Sequence, residues 1–260
     1  MNSFMLFFKK EITELIKTIK GVVLAVIFLV VGISSPLLAK LTPEILKISG
    51  IDISEEVMLS MGINPIPTSS DSYAQFFGNF NQIGLLALII VFAGVVANEK
   101  SKNTAAYILT QNISRRTFIL SKFASSVVFT FVSVIITIGA QIFYTNYLFE
   151  DKIIEIKSVM IFSGLLLLYL IFILSIVIFS SVMTKTVTSS TFVAFLIFIA
   201  ANLMTGIPKI GKYMPPNINN FGILTQTVTV NDLIVNIIIT AICSIAFIVA
   251  GLELFNRQEL

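Results

Sequence analysis

The side chains able to do chemistry in this sequence are few, and their spacing points away from catalysis. There is no His, and the one Cys, Cys243, sits in an apolar run. Zinc sites draw several ligands from Cys, His and carboxylates, so no metal site is expected. Nucleophilic catalysis through a Ser-His pair lacks its base. The segment Gly206-Ile207-Pro208-Lys209-Ile210-Gly211-Lys212-Tyr213 fits the first seven places of a phosphate-binding loop. Tyr213 stands where the magnesium-holding Ser or Thr belongs, no strand precedes it, and prolines follow where a helix should start, so it reads as a decoy. Asn112-Ile113-Ser114 matches a glycosylation sequon but falls in a segment read as cytoplasmic. The remaining candidates are amides in or near long apolar runs: Asn79, Asn81, Gln82, Gln141 and Asn202, with Tyr144 and Asn146 beside them. They either line a pathway or make interhelical hydrogen bonds, the commoner use of such residues. No Asp or Glu lies mid-run, where ion-coupled transporters and proton relays keep one.

The elements that must position these residues are membrane spans. The chain is 56% hydrophobic and 12% charged, with mean hydropathy +0.97. A soluble domain carries about 25% charged residues, and its surface-to-volume ratio leaves too few places to hide so much apolar surface. Uncharged windows long enough to cross a bilayer, about 20 residues, predict spans at about 21–40, 76–98, 120–149, 158–183, 186–206 and 233–255. The first is too long for a signal-peptide core and has no small-residue cleavage pattern after it, so it is expected to remain. The predicted fold is an all-α membrane protein, residues 1–260 forming a single transmembrane domain of six transmembrane helices.

Six spans place both termini on one side. Setting that side in the cytoplasm puts eleven of the 17 Lys and Arg inside, as the positive-inside rule favours. Ahead of the first span, Phe4, Phe8, Ile12, Leu15, Ile16 and Ile19 recur at helical spacing opposite Lys9, Lys10, Thr13, Glu14, Lys17 and Lys20. That pattern predicts an amphipathic interfacial helix over 4–20. An outer loop is expected at 41–75, with a short helix near 53–61. Residues 207–232 are broken by Pro208, Pro215 and Pro216 yet stay apolar, which predicts a re-entrant segment before the last span.

The longest inner loop, 99–117, carries Glu99, Thr104, Tyr107, Ile113, Ser114, Arg115 and Arg116. Thr104–Thr110 is predicted helical, and Ser114 is suited to cap a helix that continues into the third span. This pattern resembles the ABC-2 type permeases. Glu99, Thr104, Ile108-Leu109, Ile113-Ser114-Arg115 and Leu120-Ser121-Lys122 stand where that family has Glu, Thr, a short apolar helix, Pro-Ile-Ser-Arg and Leu-x-Gly-Lys. Asn112 replaces the usual Pro and Ser121 the usual Gly. The interfacial helix is similar to the family's elbow helix, and the tail Leu254–Leu260 to its basic Phe-containing end.

The resemblance implies a permease subunit, not an enzyme, in a bacterial plasma membrane with both termini cytoplasmic. The 99–117 loop would be a coupling helix docked on a separate ABC ATPase that holds ATP-Mg, with no cofactor on this chain. A second permease copy or paralogue would complete a pathway for export of a hydrophobic or amphipathic substrate. Membrane lipids would be partners, and nucleic acid would not. Two other readings stay open: a non-transporting assembly or sensor protein, and a secondary transporter.

Overall fold

The computed structural model describes residues 3–48, 58, 64–110, 113–151, 156–207, 210–219 and 230–258. All regular structure among them is helical, and the protein is an all-α membrane protein. The expected short helix near 53–61 (Met58 apart), residues 208–209 and 220–229 of the expected re-entrant segment, Asn112, and residues 259–260 of the tail lie outside the described residues.

Helix α1, Ser3–Lys17, precedes α2, Ile19–Ile48. The second span is composite: α3 Ser69–Asn79, a π-helical turn Phe80–Gly84, α4 Leu85–Phe92 and α5 Gly94–Ser101. Short α6, Thr104–Thr110, leads to α7, Arg115–Leu148. Then come α8 Ile156–Met183, α9 Val187–Met204, 3-10 turns at Gly211–Tyr213 and Pro215–Asn219, and α10 Val230–Arg257. Six stretches are long and apolar enough to cross a membrane: Ile19–Leu46, Ser69–Ser101, Arg115–Leu148, Lys157–Met183, Val187–Met204 and Asp232–Arg257.

Three boundaries differ from the sequence reading. The second span begins at Ser69, ahead of its expected start at 76, so the last residues of the expected outer loop are helical. Helix α2 runs through Pro36 and Pro43 to Ile48, so the first residues of the expected outer loop are helical. Proline is tolerated in spanning helices where neighbouring groups and local adjustments accommodate the freed backbone; the carbonyl that loses its donor at Pro36 is that of Gly32. Helix α7 starts at Arg115, ahead of the expected span. Its 34 residues make about 51 Å at about 1.5 Å per residue, well beyond the roughly 30 Å hydrocarbon core, so turns project at its ends.

The fourth span is the packing centre, touched by the second, third, fifth and sixth. Its neighbour the second span buries Phe76, Phe77 and Phe80, and Phe77 meets Phe162 edge-to-face with ring centroids 4.2 Å apart. The first span packs on the second and third, and α1 lies along the third. The two chain ends come together: Phe7 of α1 packs on Phe118 at 5.7 Å, and Phe118 stacks on Phe255 of α10 at 5.4 Å. We call this end of the bundle the terminal face.

Candidate functional site

On the terminal face, charged residues are buried together. Lys122, 2% exposed, donates to Glu11 Oε2 at 3.0 Å and to Glu99 Oε1 at 2.8 Å. It reaches both because α7 begins two turns before it, so its side chain points across the bundle between α1 and the end of the second span. Lys10 adds contacts to Glu11 at 3.0 Å, Glu14 at 3.2 Å and Glu99 at 3.6 Å. Burial works against the Lys10 charge, but Glu11, Glu99 and Glu14 outweigh it and hold its ammonium above the ordinary lysine range. The Phe7 and Phe118 rings lie 5.8 and 5.1 Å from Lys122 Nζ, within cation–π range. Glu11, Glu14 and Glu99 place carboxylate oxygens within 4.8 Å of one another. Lys10 and Lys122 sit among them, so the chain itself supplies the neutralising charge. The cluster ties three elements together: α1, the second span and the third.

From this root the 99–117 loop projects. Lys102 closes α5, and Asn103 takes a left-handed conformation, φ 56°, a turn that Asn tolerates better than most residues. Thr104 Oγ1 donates to the Glu99 carbonyl at 3.1 Å. Tyr107 is 67% exposed. Ile113 is half-buried against the Phe7–Phe118–Phe255 cluster. Ser114 caps α7, its Oγ accepting from the Thr117 amide at 3.1 Å. Arg115 turns inward and donates from Nη1 to the carbonyls of Phe255, Asn256 and Gln258 at 2.9, 2.9 and 2.6 Å. A cation there complements the negative end of the α10 dipole. Arg116 is exposed. Of the seven loop residues singled out from the sequence, Glu99, Thr104, Ile113, Ser114 and Arg115 therefore make contacts within the chain, while Tyr107 and Arg116 face outward and Thr104 is itself exposed.

The break in the second span is stabilised from the fourth. The helix is interrupted at Ala93, and the amides of Val96 and Ala97 donate to Ser181 Oγ at 3.0 and 2.9 Å. Lys100 Nζ donates to the Val182 carbonyl at 2.6 Å, and Gln258 Nε2 to the same oxygen at 3.1 Å. The end of the fourth span is thus held by both the loop root and the tail.

The amides divide into two groups. Gln141 is 1% exposed and donates to Ser72 Oγ and Thr145 Oγ1 at 3.1 and 3.2 Å, joining the second and third spans. Asn81 accepts from Asn219 Nδ2, and Asn202 donates to the Phe198 carbonyl of its own helix at 2.9 Å. Asn79 and exposed Gln82 instead line a cavity of about 300 Å³ at the end opposite the terminal face, with Gln75 and Asp71. Asn79 Nδ2 donates to Ser35 Oγ at 3.1 Å and Gln75 Nε2 to Asn79 Oδ1 at 3.2 Å. Asn81 and Gln82 sit in the π-helical turn, a local feature frequent at functional sites.

The sequence reading missed two features. Lys122, read only as the last residue of the Leu120-Ser121-Lys122 stretch at the start of the third span, is the centre of the ion cluster. The buried hydroxyls Ser121, Ser125, Ser126, Thr130, Ser133 and Thr137 continue the line of Gln141 and Thr145 down one face of α7; apart from the adjacent Ser125 and Ser126, their recurrence every three or four residues was the available signal. The apparent phosphate loop does other work: Lys212 pairs with Asp232 at 2.9 Å.

The chain is similar to the uncharacterized transmembrane protein YxlG of Bacillus subtilis (strain 168), with 27% identity over 151 residues. The match takes in 58% of this chain and spans 57% of that relative's length. A family model matches residues 59–260, which contain the loop, Lys122 and five of the six spans. On that match, the chain belongs to the family described as Protein of unknown function (DUF2705).

Proposed function

We propose that this chain is a permease subunit of an ABC-2 type exporter, driven by a separate ATPase that holds ATP-Mg. The terminal face is then cytoplasmic, in a bacterial plasma membrane, and α6 with Thr104, Tyr107 and Arg116 is the docking element. The observation that carries this reading is the rooting of that loop. Glu99 opens it, and Glu99 is ion-paired to Lys122 in the third span and, through Lys122, to Glu11 in α1. A push on α6 would reach three membrane elements at one buried point. Networks of this kind have few alternative arrangements, which suits them to pass a discrete movement. The resemblance in the 99–122 segment supports the same assignment.

The pathway is proposed to lie against a second permease copy or paralogue, at the groove of Gln75, Asn79 and Gln82. Amides facing lipid would lack hydrogen-bond partners, so a polar, exposed face on a spanning helix is better placed against protein or a water-filled path. The cargo is proposed to be hydrophobic or amphipathic.

The test is co-purification of the full chain with the ABC ATPase it is co-expressed with. Tyr107→Ala combined with Arg116→Glu is expected to abolish recovery of the ATPase while leaving helical content and membrane insertion unchanged. ATPase recovery undiminished by that variant, or no ATPase recovered with the wild-type chain, would sink the docking reading.

A further inference from the structure

We propose that the terminal face carries a binding site for the phosphate group of an anionic phospholipid, held between Lys100 and Lys185. A cavity of about 370 Å³ opens there, lined among others by Ala105, Ala106, Met183 and Gln258. Its volume lies in the range of small-ligand sites, roughly 300–1,000 Å³. Both lysines face it, and among the described residues no acidic side chain lines it. Two ammonium groups sharing one cavity repel, and a phosphate between them reverses the sign of that interaction.

The lysines differ in how they are held. Lys100 Nζ is anchored on the Val182 carbonyl at 2.6 Å, which fixes its position and leaves two of its three protons available. Lys185 is exposed in the connection between the fourth and fifth spans and makes no hydrogen bond or ion pair with any described residue. The neighbouring cavity beside Lys102 and Lys122 has Glu11, Glu14 and Glu99 in its own wall, so of these two the Lys100–Lys185 cavity is the one with no counter-charge among the described residues.

A lipid fits better than a soluble anion because of where the cavity lies. It sits at the ends of the second and fourth spans, where a spanning helix leaves the hydrocarbon core. Met183 lines it and is 54% exposed, offering apolar surface where an acyl chain would leave. Basic pockets between spanning helices on a membrane face are a recurring form of headgroup site. Ala105 and Ala106 belong to α6, so an occupied site would brace that loop. The inference stands whether or not the chain is a permease.

The experiment titrates the full chain in neutral detergent micelles with short-chain phosphatidylglycerol and, separately, phosphatidylcholine, following retention by native mass spectrometry. Phosphatidylglycerol is expected to bind the more tightly. Lys185→Gln, which removes no intrachain bond, is expected to weaken phosphatidylglycerol by about fivefold, the share of one interfacial lysine, and to leave phosphatidylcholine unchanged. Lys9→Gln, at an exposed lysine of α1, is expected to change neither. Equal affinity for the two lipids overturns the proposal. So does a Lys185→Gln chain that binds as the wild type does, or displacement of phosphatidylglycerol by an equal concentration of inorganic phosphate.

Discussion

Lys122 shows how much one side chain can carry in a protein with so little charge. It is enclosed by two carboxylates and two aromatic rings, and removing one member of a buried ion cluster leaves the others uncompensated. Lys122→Met is expected to destabilise the fold by about 3–5 kcal/mol, read as a lower unfolding temperature in micelles by circular dichroism. Adding Glu11→Gln and Glu99→Gln to that variant should recover much of the loss, because no unpaired charge then remains. Lys10 gives a pH prediction with a definite sign. Its ammonium is held above the ordinary value of 10.5, so its contribution is fully present below that pH and is lost only as pH rises through the raised value. The stability difference between wild type and Lys10→Met should therefore be flat from about pH 6 to about pH 9 and shrink only in strong alkali. A difference that changes near neutrality would contradict this.

At the scale of elements, close approach matters more than hydrophobicity, since lipid is as apolar as the spans themselves. The first and third spans meet where Gly32 faces Thr137: a Cβ on Gly32 would lie 2.8 Å from the Thr137 carbonyl oxygen and 2.9 Å from its Cγ2. The neighbour is backbone and cannot rotate aside, so Gly32→Ala should cost about 1–3 kcal/mol. Gly139→Ala and Gly164→Ala, where a Cβ meets nothing within 4 Å, serve as controls and should leave thermal unfolding unchanged. Acidic residues at the opposite end have a related role. Asp71 accepts from the Thr68 amide at 2.8 Å, and Asp151 from the Ser69 amide at 2.9 Å. Both place negative charge at the positive start of the second span. The Thr68–Asp71 pair is a capping box local to the chain, whereas Asp151 reaches Ser69 from 82 positions away, so only tertiary structure assigns it to this helix end.

For the whole molecule, the Gln75–Asn79–Gln82 face is the surface proposed to meet a second copy. In a Cys243→Ser background, Gln82→Cys is expected to form crosslinks between two copies in the membrane. Phe192→Cys, on an exposed apolar face of the fifth span, should form far fewer. Equal crosslinking at the two positions, or none at Gln82→Cys, would remove that face from the subunit contact. The outcome bears directly on the proposed pathway: Asn79 is bonded within the chain, but the exposed Gln82 amide would be costly against lipid.

The sequence by itself determined the number and rough position of the spans, because charge-free runs of bilayer length are a local property of the chain. It also determined the short helix at Thr104–Thr110 and the Ser114 cap, which depend on neighbours within four residues. Tertiary structure alone decided which charges are buried. Glu11 and Glu99 lie 111 and 23 positions from Lys122 in the chain, and no periodicity relates α1 to α7. It also decided that Arg115 faces the α10 carbonyls while Arg116 faces outward, two adjacent arginines with the same local propensities. The difference is a rotation of about 100° around one helix, and which side of that helix meets protein is settled only when α10 packs against it.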